Sequence, residues 1–204
     1  MSRAARCAGL LLFAIAAPAR ADDVPFDARM PLRAGFAYTG ISRAPAFSLS
    51  WGIDVDVARI SKRLAFTGVL DFDAEARPEL SDKDPLSAFS ALGVGAGLFY
   101  VTEGSVGIGF ETTVSLTFDA QDVAGAGLMT RAFVIPFYVP LDEAVKPHAD
   151  RFAAWVRSSL SLWVLGRVDW TKDGNGGTFA FGGAIDVMRL FFLPYLDLLT
   201  TKLR

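Results

Sequence analysis

One cysteine, one histidine and five lysines are all that this chain of 204 residues holds of those three residue types. Each scarcity closes off a class of function. Cys7 lies in a segment expected to be removed on export, so the mature chain would hold no disulfide framework and no thiol nucleophile. A lone histidine, His148, falls in a predicted connection between Pro140 and Asp150 and reads as a solvated turn residue. It excludes a structural zinc site of cysteine and histidine, which takes about four such ligands. Basic residues number 20 against 22 acids, without the clustered positive surplus of a nucleic-acid surface. No apolar run approaches the roughly 20 residues that a membrane-spanning helix needs.

The apolar run nearest to that length, Ala8 to Ala17, has the build of an export signal instead. Arg3 and Arg6 precede it, and Ala19-Arg20-Ala21 places small residues about a cleavage point. Residues 1–21 are therefore expected to be a signal peptide. Its removal takes three arginines and no acid, leaving 17 basic against 22 acidic residues. Residues 22–31 are expected to follow as a periplasmic N-terminal segment.

What fills the remainder is alternation. Phe47, Leu49, Trp51, Ile53, Val55 and Val57 are apolar, with Ser48, Ser50, Gly52, Asp54, Asp56 and Ala58 between them. A period of two is the mark of a strand with unlike faces. The pattern recurs through Leu64 to Glu75 and through Ser105 to Phe118, and more weakly through Leu32 to Ile41, Ala88 to Val101, Leu128 to Val139, Trp155 to Trp170 and Thr178 to Leu190. That makes eight strands over residues 32–190. Two inner turns are tight and three of the four outer loops are longer, as in a transmembrane barrel with short periplasmic turns and longer outer loops, while the inner connection Pro140 to Asp150 and the short first outer loop, Ser42 to Pro45, depart from that rule. The fold expected is an all-β, eight-stranded, antiparallel, up-and-down transmembrane barrel, with residues 191–204 as a C-terminal extension.

A soluble barrel also alternates, with its apolar face turned inward. Chemistry separates the two. All five lysines, at 62, 83, 146, 172 and 202, fall outside the predicted strands, whereas long charged side chains normally coat a solvated strand face. The polar face is built of Gly, Ala, Ser and Thr, small enough for the crowded interior of eight strands. Into it are set Asp54, Asp56, Asp71, Asp73, Glu75, Glu111, Arg157, Arg167, Asp169 and Asp186, read as one interior charge network. Trp51, Ile53, Phe66, Leu70, Ile108, Phe110, Leu160, Leu162 and Phe181 are assigned to a lipid-facing belt. Phe133, Trp163 and Leu165 fall on the polar face and interrupt it.

With its signal peptide, eight alternating runs and loop asymmetry, the chain resembles small bacterial outer-membrane barrels of the OmpA-domain and OmpX-like kind, and more loosely OmpW-like barrels. Gly182-Gly183-Ala184-Ile185-Asp186-Val187 is similar to the closing-strand pattern that the barrel assembly machinery recognises. The resemblance implies an outer-membrane location, with lipid and that machinery as partners; the oligomeric state is left open, with a monomer favoured.

No catalytic, cofactor-binding or metal-binding residues are assigned, and alternate glycines at 93, 95, 97, 107 and 109 read as close packing. The expected function is non-enzymatic: a barrel with a side-chain-filled interior and a structural or surface-interaction role. Two alternatives stay open at this point. One is a narrow channel or binding barrel for small hydrophobic or cationic molecules. The other is a soluble periplasmic lipocalin-like carrier.

Overall fold

The computed structural model describes residues 27–39, 44–77, 87–119, 122–140, 151–171 and 174–195. Nine strands follow in order: β1 Ala28–Arg29, β2 Pro31–Thr39, β3 Ala44–Ser61, β4 Leu64–Arg77, β5 Ser87–Val101, β6 Gly107–Asp119, β7 Asp122–Ile135, β8 Leu160–Thr171 and β9 Gly174–Asp186. A helix, α1 (Arg151–Ser159), precedes β8, and a π-helical turn, Met188–Phe192, follows β9.

From β2 to β9, each strand pairs antiparallel with the next, and β9 returns to β2 from Pro31↔Asp186 to Thr39↔Thr178. The sheet is thus a closed ring of eight. Closure removes the free edges that an open sheet would expose. β1 continues β2 in the same register on β3, with Arg29↔Asp54 below Leu32↔Trp51. The break between them is at Met30. Its N–H donates to Asp186 Oδ1 at 3.0 Å and its carbonyl accepts from Val187 N at 2.9 Å.

Register fixes the tilt. A row of partners runs from Ala28 through Val55, Gly68, Ala96, Thr112, Thr130, Gly166 and Phe179 to Tyr38, ten residues beyond its start on the same strand line. With a rise of ~3.3 Å and a strand spacing of ~4.8 Å, that stagger inclines the strands by about 40° to the axis, as closure of so few strands requires. The strands are long for a soluble domain, with 18 residues in β3 and 15 in β5. A tilted strand needs about 9 to 11 residues to cross hydrocarbon.

The two faces are inverted relative to a water-soluble protein. Alternate residues of β6 show it: Ile108, Phe110, Val114 and Leu116 are exposed, while Glu111, Thr113, Ser115 and Thr117 are buried. Trp51, Phe66, Leu70, Leu160, Leu162 and Phe181 are exposed likewise, and Ile53 is half-buried on the same outward phase. Apolar stripes that face out are the reverse of a soluble lipocalin-like carrier, whose apolar faces turn inward, which corrects that alternative.

Several expected boundaries also move. Trp155 to Ser159 is helical rather than strand, because Trp155, Ser158 and Ser159 bury one helical face at spacings of three and four. Trp155 packs there against Leu193 and Val139. β7 begins at Asp122 instead of Leu128: a register shift beside Thr117 and Phe118 disrupts the alternation, and Gly125 to Gly127 stays in the strand. The connection foreseen over Asp119 to Gly127 shrinks accordingly. β9 ends at Asp186 rather than Leu190 because the Asp186 carboxylate accepts from the backbone N–H groups of Met188 and Arg189, turning the chain out of the sheet. Part of the segment expected to be a plain N-terminal lead, residues 28 and 29, is strand. The expected signal peptide, His148 and four of the five lysines lie outside the described residues.

Candidate functional site

Among the described residues, most of the charged and aromatic side chains that meet one another do so in the interior, which is filled at two levels. At the end of the barrel bearing Asp27 and the turn Met188–Phe192, here the near end, the filling is aromatic. Phe99 stacks on Phe133 with ring centroids 6.0 Å apart and meets Tyr138 edge-on at 4.8 Å. Glycine makes this possible. The Phe133 ring occupies the place where a Cβ of Gly109 would be, and Phe99 does the same at Gly107. Ile135 and Trp163 extend the cluster at this end, and Leu165 and Met129 carry it up the wall to the levels of Arg131 and Arg167, so Phe133, Trp163 and Leu165 do point inward.

Beyond it lies a ladder of guanidinium and carboxylate groups. Arg33 sits on β2 and Arg131 on β7, and both reach Asp71 of β4, at 2.9 and 2.5 Å. Arg33 also approaches Asp54 at 3.6 Å and Glu111 at 3.7 Å, while Arg131 reaches Asp73 and Glu111, both at 3.4 Å. Towards the far end, Arg167 bridges Glu75 at 2.7 Å and Asp169 at 2.9 Å. The planar guanidinium fork suits this task, since it donates in several directions at once and stays charged. Buried charge is tolerated only when partners replace the lost water.

At the near end the ladder becomes a clasp. Arg189, from the π-helical turn, is fully buried and donates to both Asp27 oxygens, to the Val139 carbonyl and to Ser158 Oγ, and it lies over the Tyr138 ring. Tyr138 Oη in turn donates to Asp27. Arg29 stacks 4.0 Å above the centre of Phe99 and 3.9 Å from Asp56, joining the aromatic level to the charged one.

Nine of the ten residues read as an interior network are buried inside the ring: Asp54, Asp56, Asp71, Asp73, Glu75, Glu111, Arg167, Asp169 and Asp186. Arg157 is the correction. It lies on α1 with its side chain exposed, so it cannot neutralise the interior acids. The guanidiniums that do so are Arg33, Arg131, Arg29 and Arg189 together with Arg167. Strand phase could have found two of them: Arg33 shares the inward phase of Gly35 and Ala37, and Arg131 that of Gly127 and Met129. Asp27 and Arg189 had no such signal, because each lies outside a regular strand.

Chemically, the arrangement binds itself. The central carboxylates face guanidiniums rather than an accessible surface, and two cavities at the near end, one beside Arg33 and Asp54 and one at the rim beside Asp56 and Arg59, amount to about 20 and 40 Å³. Pockets that hold small organic ligands run to about 300 Å³ or more. Among the described residues, no group of three or more histidine, cysteine, aspartate or glutamate side chains is placed to hold a metal ion.

No family model matches the chain, and neither does any curated protein. Among solved structures, the chain is similar to Ail, the attachment invasion locus protein of Yersinia pestis, at a TM-score of 0.43 and 10% identity over 79% of this chain and 99% of that one. It is also similar to Neisserial surface protein A, at a TM-score of 0.43 and 17% identity over 79% of this chain and 96% of the other. The fold stands on the closed register and the inverted faces described above.

Proposed function

We propose that the chain is a non-enzymatic protein of the bacterial outer membrane, which it crosses as a filled barrel and serves through its surfaces rather than its lumen. The observation that carries this reading is the interior ladder, in which Arg33, Arg131 and Arg167 occupy the cross-section between opposite walls. A barrel of eight strands has room for side chains and little else. The outward belt supports the membrane assignment, since a solvated monomer rarely exposes so continuous an apolar surface. On this reading the near end faces the periplasm and the hairpin connections at the far end face outward. Lipid and the assembly machinery are its partners during insertion, and the protein works as a monomer.

Two measurements test it. The folded protein should migrate differently on gels before and after boiling, and it should partition with outer membranes. In a planar bilayer it should give no conductance of porin size. A steady porin-like current would overturn the filled interior, and recovery in the detergent-free periplasm would overturn the membrane assignment. A narrow passage for hydrophobic molecules finds less support: Phe133, Trp163 and Leu165, which would line it, are packed against Met129 and Phe99.

A further inference from the structure

At the near end, the turn joining β3 to β4 gathers three cations around a small cavity. Arg59, Lys62 and Arg63 border about 40 Å³ of space whose floor includes Phe99, Tyr138 and Pro140. The turn is held in shape by Ser61, whose Oγ accepts from the N–H groups of Arg63 and Leu64 at 3.3 and 3.1 Å. Its charge is only partly answered. Arg63 pairs with Glu103 at 2.8 Å in an exposed bridge, and exposed bridges contribute little, so exchanging Glu103 for another anion costs little. Arg59 meets Asp56 at 3.3 Å, but Asp56 is shared with Arg29 behind it. The Lys62 side chain is in solvent.

The outer side of the same turn is apolar. Ile60 is exposed, and above it on the outward face stand Phe66 and Leu98, paired across β4 and β5, with Tyr100 beside Leu64. Cations at the rim and an apolar wall rising from them on the outward face, with a cavity of a few atoms on the inward side of the same turn, form a pattern that suits one kind of molecule. We propose that this turn holds the phosphate of an anionic phospholipid in the periplasmic leaflet, with Lys62 and Arg63 on the phosphate oxygens and the acyl chains along Ile60, Phe66 and Tyr100. The site rests on the membrane reading above. Charge complementarity and continuity with the lipid-facing belt select lipid over a soluble anion.

The test uses the full folded chain inserted into vesicles of phosphatidylcholine, alone or mixed with phosphatidylglycerol. After extraction into neutral detergent, native mass spectrometry counts the lipid retained. The wild type should keep phosphatidylglycerol in preference to phosphatidylcholine. Each rim cation is worth about fivefold in affinity, so the K62Q/R63Q double variant should bind phosphatidylglycerol roughly 30-fold more weakly while keeping its boiling-dependent gel shift. Glu103→Gln, which frees Arg63, should retain more. Equal retention of the two lipids by the wild type, or of phosphatidylglycerol by wild type and double variant, would overturn the site alone. Displacement by inorganic phosphate at matched concentration would reassign it to a soluble anion and overturn the lipid. Failure to insert into either vesicle would overturn the membrane reading and the site with it.

Discussion

Arg189 Nη2 donates to both carboxylate oxygens of Asp27, at 2.9 and 3.0 Å, across 162 residues of sequence. The pair ties the segment that precedes the first strand to the segment that follows the last, beside the seam where β2 meets β9. Removing Arg189 leaves Asp27 buried with, among the described residues, only the Tyr138 hydroxyl beside it, and removing Asp27 leaves Arg189 with the longer Asp186 contact at 3.3 Å, so breaking the pair costs about 3 to 5 kcal/mol. Asp27→Leu and Arg189→Met should each lower the temperature at which the gel-shifted folded form is lost. The double variant Asp27→Leu with Arg189→Met should recover part of the loss. Additive losses would show that the two side chains do not act as a pair.

The central ladder gives a second expectation. Arg131→Met strips Asp71, Asp73 and Glu111 of a shared partner, so it should destabilise by about 3 to 5 kcal/mol in urea unfolding followed by tryptophan fluorescence. Arg63→Met at the exposed rim removes a bridge worth at most about 1 kcal/mol. Similar losses from both would contradict the burial of the ladder.

Depth in the membrane sets a third. Val114 faces outward near the middle of β6, whereas Ile60 faces outward at the turn. Lysine at the first should cost about 2 to 4 kcal/mol, and at the second about 0 to 1 kcal/mol. Refolding into lipid vesicles under graded urea measures both. Equal costs would mean that the outward face does not contact hydrocarbon.

Gly109 supplies the fourth. An alanine there would put its methyl group where the Phe133 ring lies, and the ring is confined by Phe99 and Trp163. Overpacking of that kind costs about 1 to 3 kcal/mol. Adding Phe133→Leu to Gly109→Ala should restore much of the stability that either change alone removes, as read from thermal loss of the folded gel band.

The sequence exposed the wall of this barrel more fully than its filling. Alternation in β3, β4 and β6 was regular because one face meets an apolar surface and the other a crowded interior, so each residue was under a two-valued constraint. The outward phase of Trp51 and Ile108 needed a second signal, the exclusion of all five lysines from the strands. Partnership inside the ring did not. Arg131 and Asp71 are 60 residues apart and become neighbours only when the stagger of the closed sheet is known. Arg157 looked equivalent to Arg167 by spacing, yet α1 ends between them at Ser159, and a helix does not preserve the phase of the strand it precedes. The register shift beside Thr117 was invisible for the same reason, since a bulge changes phase without changing composition.

The stagger of ten residues has a consequence for how the two rims relate. Seen as a screw thread, a strand inclined at about 40° moves sideways by roughly 20 Å while it climbs ~25 Å of apolar band, and the circumference of eight such strands is about 50 Å. β4 therefore leaves the turn at Lys62 and Arg63 on one flank and delivers Arg77 to the opposite rim about two-fifths of a revolution away. A molecule held at the lower lip and one met at the upper lip of the same hairpin would approach the cylinder from nearly opposite compass points. Neighbours in sequence at the two ends are thus strangers in plan view, and both flanks are free to be occupied at once.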